Sequence, residues 1–431
     1  MKSTSIRRIS AVALALGLVA TGCGSDEDGA TGEPAATGAR PGSDLQADEG
    51  STEVDGPQPR LVVSDADSGR VDVLDLESGE NIATFDVQEP SRLTDVGGRY
   101  AFATAAASSG EDGRVHVIDV GSWTIDHGDH THSYVRSPAE LGVLSGDDPA
   151  HIVAGDGKVA VFFDGEGEAD VLDNSGLRNG DVTVTGTVET GGPHHGVVIP
   201  VSDHFVTSRP SGEADDSRPS SFELRDGGGE FVQEFTDFCP RMHGQAAFRT
   251  YAIAACDDGV FVASVADGQW ISEKVGYPPG ITAETRPSSF RTQDKLPVVV
   301  APAGPAASNA GILLFDTATR QWSQIATPEP VLSVNLSGDG RNALAVLADR
   351  TFRVYDAATG EETGSSSVLA EPFDPSDRSA TAPVVVVGGN RAYVADPAAE
   401  VVLEIDYRDG ARVARTLDVG VAPASMTLAG F

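Results

Sequence analysis

V-D-V-L-D-L-E-S-G (71–79) and V-H-V-I-D-V-G-S-W (115–123) share one pattern: a short β-branched run, an aspartate and a turn. It returns as E-A-D-V-L-D-N-S-G (168–176), S-F-E-L-R-D-G-G-G (221–229), G-V-F-V-A-S-V-A-D-G-Q-W (259–270) and G-I-L-L-F-D-T-A-T-R-Q-W (311–322). F-R-V-Y-D-A-A-T-G (352–360) and V-L-E-I-D-Y-R-D-G (402–410) complete a set of eight. Asp75, Asp119, Asp173, Asp226, Ser264, Asp316, Asp356 and Asp406 mark the units, at intervals of 38 to 54 residues. A period in the forties with several short strands per unit is the pattern of β-propeller blades. The reading is therefore an all-β propeller of eight four-stranded blades, or seven if one irregular unit is only an insertion. Each marked segment is the third strand of its blade. A-S-M-T-L-A-G (424–430) follows a complete outer strand and is expected to return as the inner strand of blade 1. That closure would remove the open sheet edges.

Composition agrees. Forty-nine glycines and 25 prolines in 431 residues suit many turns and short elements. The formal net charge of −35 repels nucleic acid and anionic lipid headgroups, so neither is an expected partner. The same charge attracts divalent cations. No G-x-G-x-x-G between strand and helix, P-loop, G-x-S-x-G or H-E-x-x-H occurs, and D-A-D-S-G (65–69) fits a β-turn better than a calcium loop.

The first 23 residues read as an export signal. Lys2, Arg7 and Arg8 precede the apolar run 11–20, which is short for a transmembrane span. Ala20-Thr21-Gly22-Cys23 resembles a bacterial lipobox, so Cys23 is expected to be lipidated. The expected location is the outer face of the cell membrane, with the lipid as the only membrane contact. Residues 24–59 are polar and acidic and read as a disordered tether spanning about 30–35 Å. The propeller is assigned to 60–431, and a monomer is expected. Cys239 and Cys256 remain; in an oxidising compartment they read first as a disulfide, with zinc ligation as the rival.

All nine histidines lie between His116 and His243. His151 in P-A-H-I-V-A-G, His195 in P-H-H-G-V-V-I and His243 in R-M-H-G-Q-A-A open the inner strands of blades 3, 4 and 5 at nearly one position. Inner strands line the central channel, so these three can converge at one mouth. D-H-G-D-H-T-H (126–132) is read as the connection from the outer strand of blade 2 to the inner strand of blade 3. There it would act as a flap over that mouth and add His127, Asp129, His130 and His132 to the site. His194, beside His195, should face the other way on an extended chain, in a supporting role or merely packed. His116 and His204 read as structural. Imidazole-rich sites with a carboxylate suit zinc, with copper(II) and nickel(II) open, and disfavour calcium and magnesium.

H-G-D-H-T-H, P-H-H-G and C-P-x-x-H-G followed by A-C-D-D-G-V are similar to motifs of the zinc metallochaperone AztD family. The resemblance implies a β-propeller of the bacterial envelope that hands zinc to the solute-binding protein of a zinc ABC transporter. It would place His127, His130 and His132 in a histidine-rich loop, His194 and His195 as the paired histidines, and His243 beside the first cysteine. Cys239 and Cys256 would match its cysteine pair. The lipobox departs from the freely soluble periplasmic members of that family. The expectation is a zinc carrier and not an enzyme. The alternatives are a metal-dependent hydrolase or lactonase on the same fold, and a metal-free interaction scaffold.

Overall fold

The computed structural model describes residues 47–106, 112–212, 218–293, 296–309 and 311–431. The export signal, Cys23 and most of the tether lie outside the described residues. Eight four-stranded antiparallel sheets follow one another along the chain, and a ninth, three-stranded sheet accompanies them. The eight are the blades, each with its strands in chain order from the centre outward, except where noted below.

Blade 1 is completed by the end of the chain. Pro423–Ala429 pairs antiparallel with Arg60–Asp65, with Leu61 opposite Leu428 and Val63 opposite Met426. The expected closing strand is thus in place. All eight marked segments are third strands, from Arg70–Asp75 to Val401–Asp406. The marking aspartate has a local cause. Asp316 Oδ1 accepts the N–H groups of Ala318 and Thr319, both at 2.9 Å, and Asp356 does the same for Ala358 and Thr359. This side-chain turn stops the third strand and starts the outer one. Blade 5 has Ser264 instead; its strand runs on to Ala266, and Asp267, with φ 51°, makes the turn.

Second and third strands are packed between neighbouring blades, and their apolar side chains form the core. Phe102, Phe162, Phe205, Phe261, Phe315 and Phe352 are fully buried, each worth about 1.5–3 kcal/mol relative to exposure. Outer strands alternate instead: Asn81–Asp86 and Glu362–Ser367 present every second residue to solvent.

Blade 2 departs from the sequence reading. Its outer strand is Ala139–Gly146, paired with Gly113–Asp119. Ser122–Asp126 and Thr131–Val135 form a hairpin inserted between those two strands. Thr52–Val54 adds a third strand to it, with Glu53 opposite Tyr134. Residues 52–54, read as tether, are therefore structured, and the compact unit begins at Ala47 instead of Arg60.

The insertion point fixes the side of the ring. Strands alternate in direction, so the link from an outer strand to the next inner strand lies on one face. The link from a third to an outer strand lies on the opposite face. The hairpin is of the second kind. It sits beside the end of the closing strand: Ser122 Oγ donates to Gln58 O at 2.5 Å, and Gly430 N–H to Gly98 O at 3.1 Å. The hairpin is not a flap over the mouth where inner strands begin.

Candidate metal centre

His151, His195 and His243 meet at the mouth. They come from Pro149–Gly155 and from the segments entering Val198–Val201 and Gln245–Ala247. One ring nitrogen of each lies within 4.8 Å of the others. Ring centroids are 4.9 Å apart for His151–His195, 5.2 Å for His195–His243 and 5.8 Å for His151–His243. His151 Nε2 and His195 Nε2 are 3.3 Å apart. Two nitrogens on a tetrahedral zinc with bonds of 2.0–2.1 Å are separated by about 3.3–3.4 Å.

The outward nitrogens are held. His195 Nδ1–H donates to Asp164 Oδ2 at 2.5 Å, and His243 Nδ1–H donates to the Ser288 carbonyl at 2.7 Å. Both contacts leave the Nε2 lone pair turned inward, as orienting partners of metal-bound histidines do. A cavity of about 570 Å³ opens beside them, bounded by Asp148, Asp164, Pro193 and Arg218. Burial lowers the His151 pKa well below the ordinary value, with further lowering from His195, His243 and Arg92. Burial also lowers that of His243. Neutral imidazole is the form that binds a metal.

The blade 5 segment is fixed from several sides. Cys239 and Cys256 form a disulfide, which removes both from the ligand candidates. His243 N–H donates to Ala255 O at 3.0 Å, and Ala255 N–H to Gly244 O at 2.9 Å. Gly244 has φ 97°, and a Cβ there would meet the Ser288 backbone at 2.8 Å, so only glycine lets the two segments approach. The buried Arg286 donates to Asp257 Oδ1 at 2.8 Å, Arg241 O at 2.6 Å and Pro287 O at 2.9 Å, bringing Ser288 up to His243.

His194 does not join the triad. Its Nδ1 bonds to Gly192 O at 2.8 Å and its Nε2 to Ser208 Oγ at 2.9 Å, with the ring edge-on to Phe162. Both nitrogens are engaged, because adjacent residues of an extended segment face opposite ways. His116 bonds Glu140 at 2.7 Å and His204 bonds Ser202 O at 2.8 Å, as structural residues do.

The hairpin histidines form a second, separate group. His127, His130 and His132 also bring one nitrogen each within 4.8 Å of one another, with ring centroids 4.9–5.3 Å apart. His132 Nδ1 bonds Glu53 Oε1 at 2.6 Å. Asp129 stands outside the group: its exposed carboxylate accepts from His130 Nδ1 at 2.8 Å, which holds its pKa below the usual range. The expected union of six histidines and Asp129 is thus corrected to two triads at opposite ends of the ring. The base of the hairpin is anchored. Asp119 is buried against Arg99 at 2.7 Å and against Arg136, Arg99 also pairs with Asp48 at 2.5 Å, and its guanidinium lies 3.6 Å above the Trp123 ring.

No protein-family model matches the chain. A 204-residue stretch is 33% identical to the zinc chaperone AztD of Citrobacter koseri, covering 47% of each protein. The alignment therefore spans about half the length of that relative. The crystal structure of Citrobacter koseri AztD superposes with a TM-score of 0.77 at 25% identity, covering 87% of this chain and 98% of that one. By sequence over about half its length and by fold over most of it, the chain is similar to Citrobacter koseri AztD. The apo AztD structure of the same organism gives a TM-score of 0.74 at 23% identity, over 86% of this chain and 98% of that one. The dihydro-heme d1 dehydrogenase NirN shares the fold alone, with a TM-score of 0.54 at 15% identity. The propeller seen in AztD is thus a scaffold also used by enzymes, and the fold does not by itself define an activity.

Proposed function

We propose that this protein is an extracytoplasmic zinc carrier that passes its metal to another protein. The observation that carries the reading is the mouth triad: three imidazoles from consecutive blades, two with Nδ1 tied to an oxygen acceptor and Nε2 turned inward. Three nitrogen ligands leave a fourth zinc position for water or for a ligand of the acceptor. That open position suits transfer, since an incoming ligand can bind before a resident one leaves. The similarity to AztD, named a zinc chaperone, supports zinc as the cargo. The proposed acceptor is the solute-binding protein of a zinc ABC transporter, met at the cell envelope with Cys23 as the lipid anchor. The hairpin triad is proposed as a second, more exposed zinc site.

The test is a competition titration of the purified protein with a zinc-chelating dye, beside His195→Ala/His243→Ala. The double variant should lose mouth binding, and equal binding by the two proteins would overturn the reading. Transfer from loaded protein to a purified transporter component then tests delivery. Zinc-dependent turnover of ester or lactone substrates would favour the hydrolase alternative.

A further inference from the structure

The charges on the inner strands run against the charge of the chain as a whole. Asp and Glu outnumber Lys and Arg by 65 to 30 overall. Yet Arg92, Asp95 and Arg291 are the only residues of these four types in the eight inner strands. Asp95 is engaged near the end of its strand, where its Oδ1 accepts the Gly98 N–H at 3.2 Å. Arg92 lies in Ser91–Val96 of blade 2, and Arg291 in Arg291–Thr292 of blade 6. Four blades apart in a ring of eight, the two arginines stand on opposite walls of the channel. Arg92 donates to the carbonyl of Ala150, the residue before His151, which places it just inside the mouth.

Neither guanidinium has a carboxylate of its own. Arg291 keeps accessible surface toward the channel, but the strands around it shield it from bulk solvent. That burial lowers its pKa, and the like charge of Arg92 lowers it further, so the two cations are within electrostatic reach of each other. Burial also lowers the Arg92 pKa, offset in part by Asp164, whose carboxylate already accepts from His195 Nδ1 at 2.5 Å. Among the described residues, none accepts a hydrogen bond from Arg291. Two like charges in a shielded space are unfavourable unless a counter-charge lies between them. A guanidinium is a planar fork of N–H donors that matches the paired oxygens of a carboxylate or a phosphate. We infer that the channel inside the mouth is a binding site for one small oxoanion, of the phosphate or carboxylate class, held between Arg92 and Arg291. The wall between them adds no competing charge. The inner strands of blades 7, 8 and 1, Val331–Leu336, Val385–Gly388 and Pro423–Ala429, have no charged residue, and those of blades 3 to 5 have no acidic one. Elsewhere the formal charge of −35 repels anions, so binding at this place requires a built site.

The inference does not depend on the zinc-carrier reading and is tested apart from it. The full chain is treated with a chelator, dialysed, and titrated calorimetrically with inorganic phosphate and, separately, with succinate. Both titrations run in chloride buffer at constant ionic strength. At least one of the two oxoanions should bind at a single saturable site, and the tighter of them identifies the class. Arg291→Met should weaken that binding at least about tenfold, as expected for lost hydrogen bonds to a charged group. Arg92→Met/Arg291→Met should abolish it. Thermal unfolding gives a second reading. In chloride, Arg291→Met should melt no lower than wild type, because it removes a shielded cation that repels its neighbour. Saturation with the bound oxoanion should then raise the wild-type midpoint and leave that of Arg291→Met in place. No saturable binding of either oxoanion by wild type would overturn the inference, as would equal binding by the double variant. Binding that appears only after zinc is restored would also overturn it, because the anion would then be held by the metal. Should Arg92→Met fail to fold for want of its bond to Ala150, Arg291→Met decides alone. Each of these results leaves the carrier reading to its own test with His195→Ala/His243→Ala.

Discussion

Removing the hairpin imidazoles together, as His127→Ala/His130→Ala/His132→Ala, should lower the zinc stoichiometry from two to one and leave the mouth affinity unchanged. The two triads lie at opposite ends of inner and third strands such as Pro149–Gly155 and Gly113–Asp119. Strands of that length rise about 3.3 Å per residue and span roughly 20 Å. Two dications at that distance repel by about 0.8 kcal/mol in unscreened water. A Debye length of about 8 Å at physiological ionic strength reduces this to below about 0.1 kcal/mol. No ligand is shared, and the hairpin base is pinned by Arg99, Asp119 and Arg136. The mouth affinity of the triple variant should therefore stay within about twofold of wild type in the dye titration. A mouth affinity weakened more than about threefold, with one zinc bound by wild type, would refute the separation and restore a hairpin that closes on the mouth.

Asp164→Ala frees the His195 ring and should weaken zinc binding at the mouth about 10–100-fold, measured by the same competition. Cys239→Ser/Cys256→Ser opens a loop with a sequence separation of 17 and should cost about 3 kcal/mol in denaturant unfolding. Its zinc affinity should change less, since His243 keeps its backbone N–H bond to Ala255 O and its Nδ1–H bond to Ser288 O. For pH, the folded state lowers the His151 and His243 pKa values below the unfolded value near 6.5, so the fold holds them neutral. The unfolded chain binds these protons first, so metal-free stability should be flat above pH ~7 and fall as pH drops below ~6.5. Zinc loss from the mouth should likewise begin below the range of free imidazole, which equilibrium dialysis across pH 5–7.5 would show.

The repeat was legible because the aspartate that ends each third strand makes a local turn, and local chemistry is written in consecutive residues. The closing strand was legible by exclusion, since 423–429 follows a finished blade. The hairpin was misplaced for a physical reason. Ser122–Asp126 has the β-branched and aromatic character of an outer strand and follows the third strand at the usual distance. Only the pairing of Ala139–Gly146 with Gly113–Asp119 shows that the true outer strand comes later. The mouth histidines could be aligned by inner-strand position, which is periodic. Their orienting partners could not. Asp164 lies in the turn after Lys158–Phe163 and the Ser288 carbonyl in an irregular segment, and each reaches the site from another blade.

The short strand Thr52–Val54 gives the ring a direction. It joins the inserted hairpin, so the chain enters the propeller on the hairpin face. The mouth opens on the other one. The strand that brings the chain into the propeller and the three converging imidazoles thus stand on opposite faces, so the histidine cluster and the point of entry do not compete for the same surface.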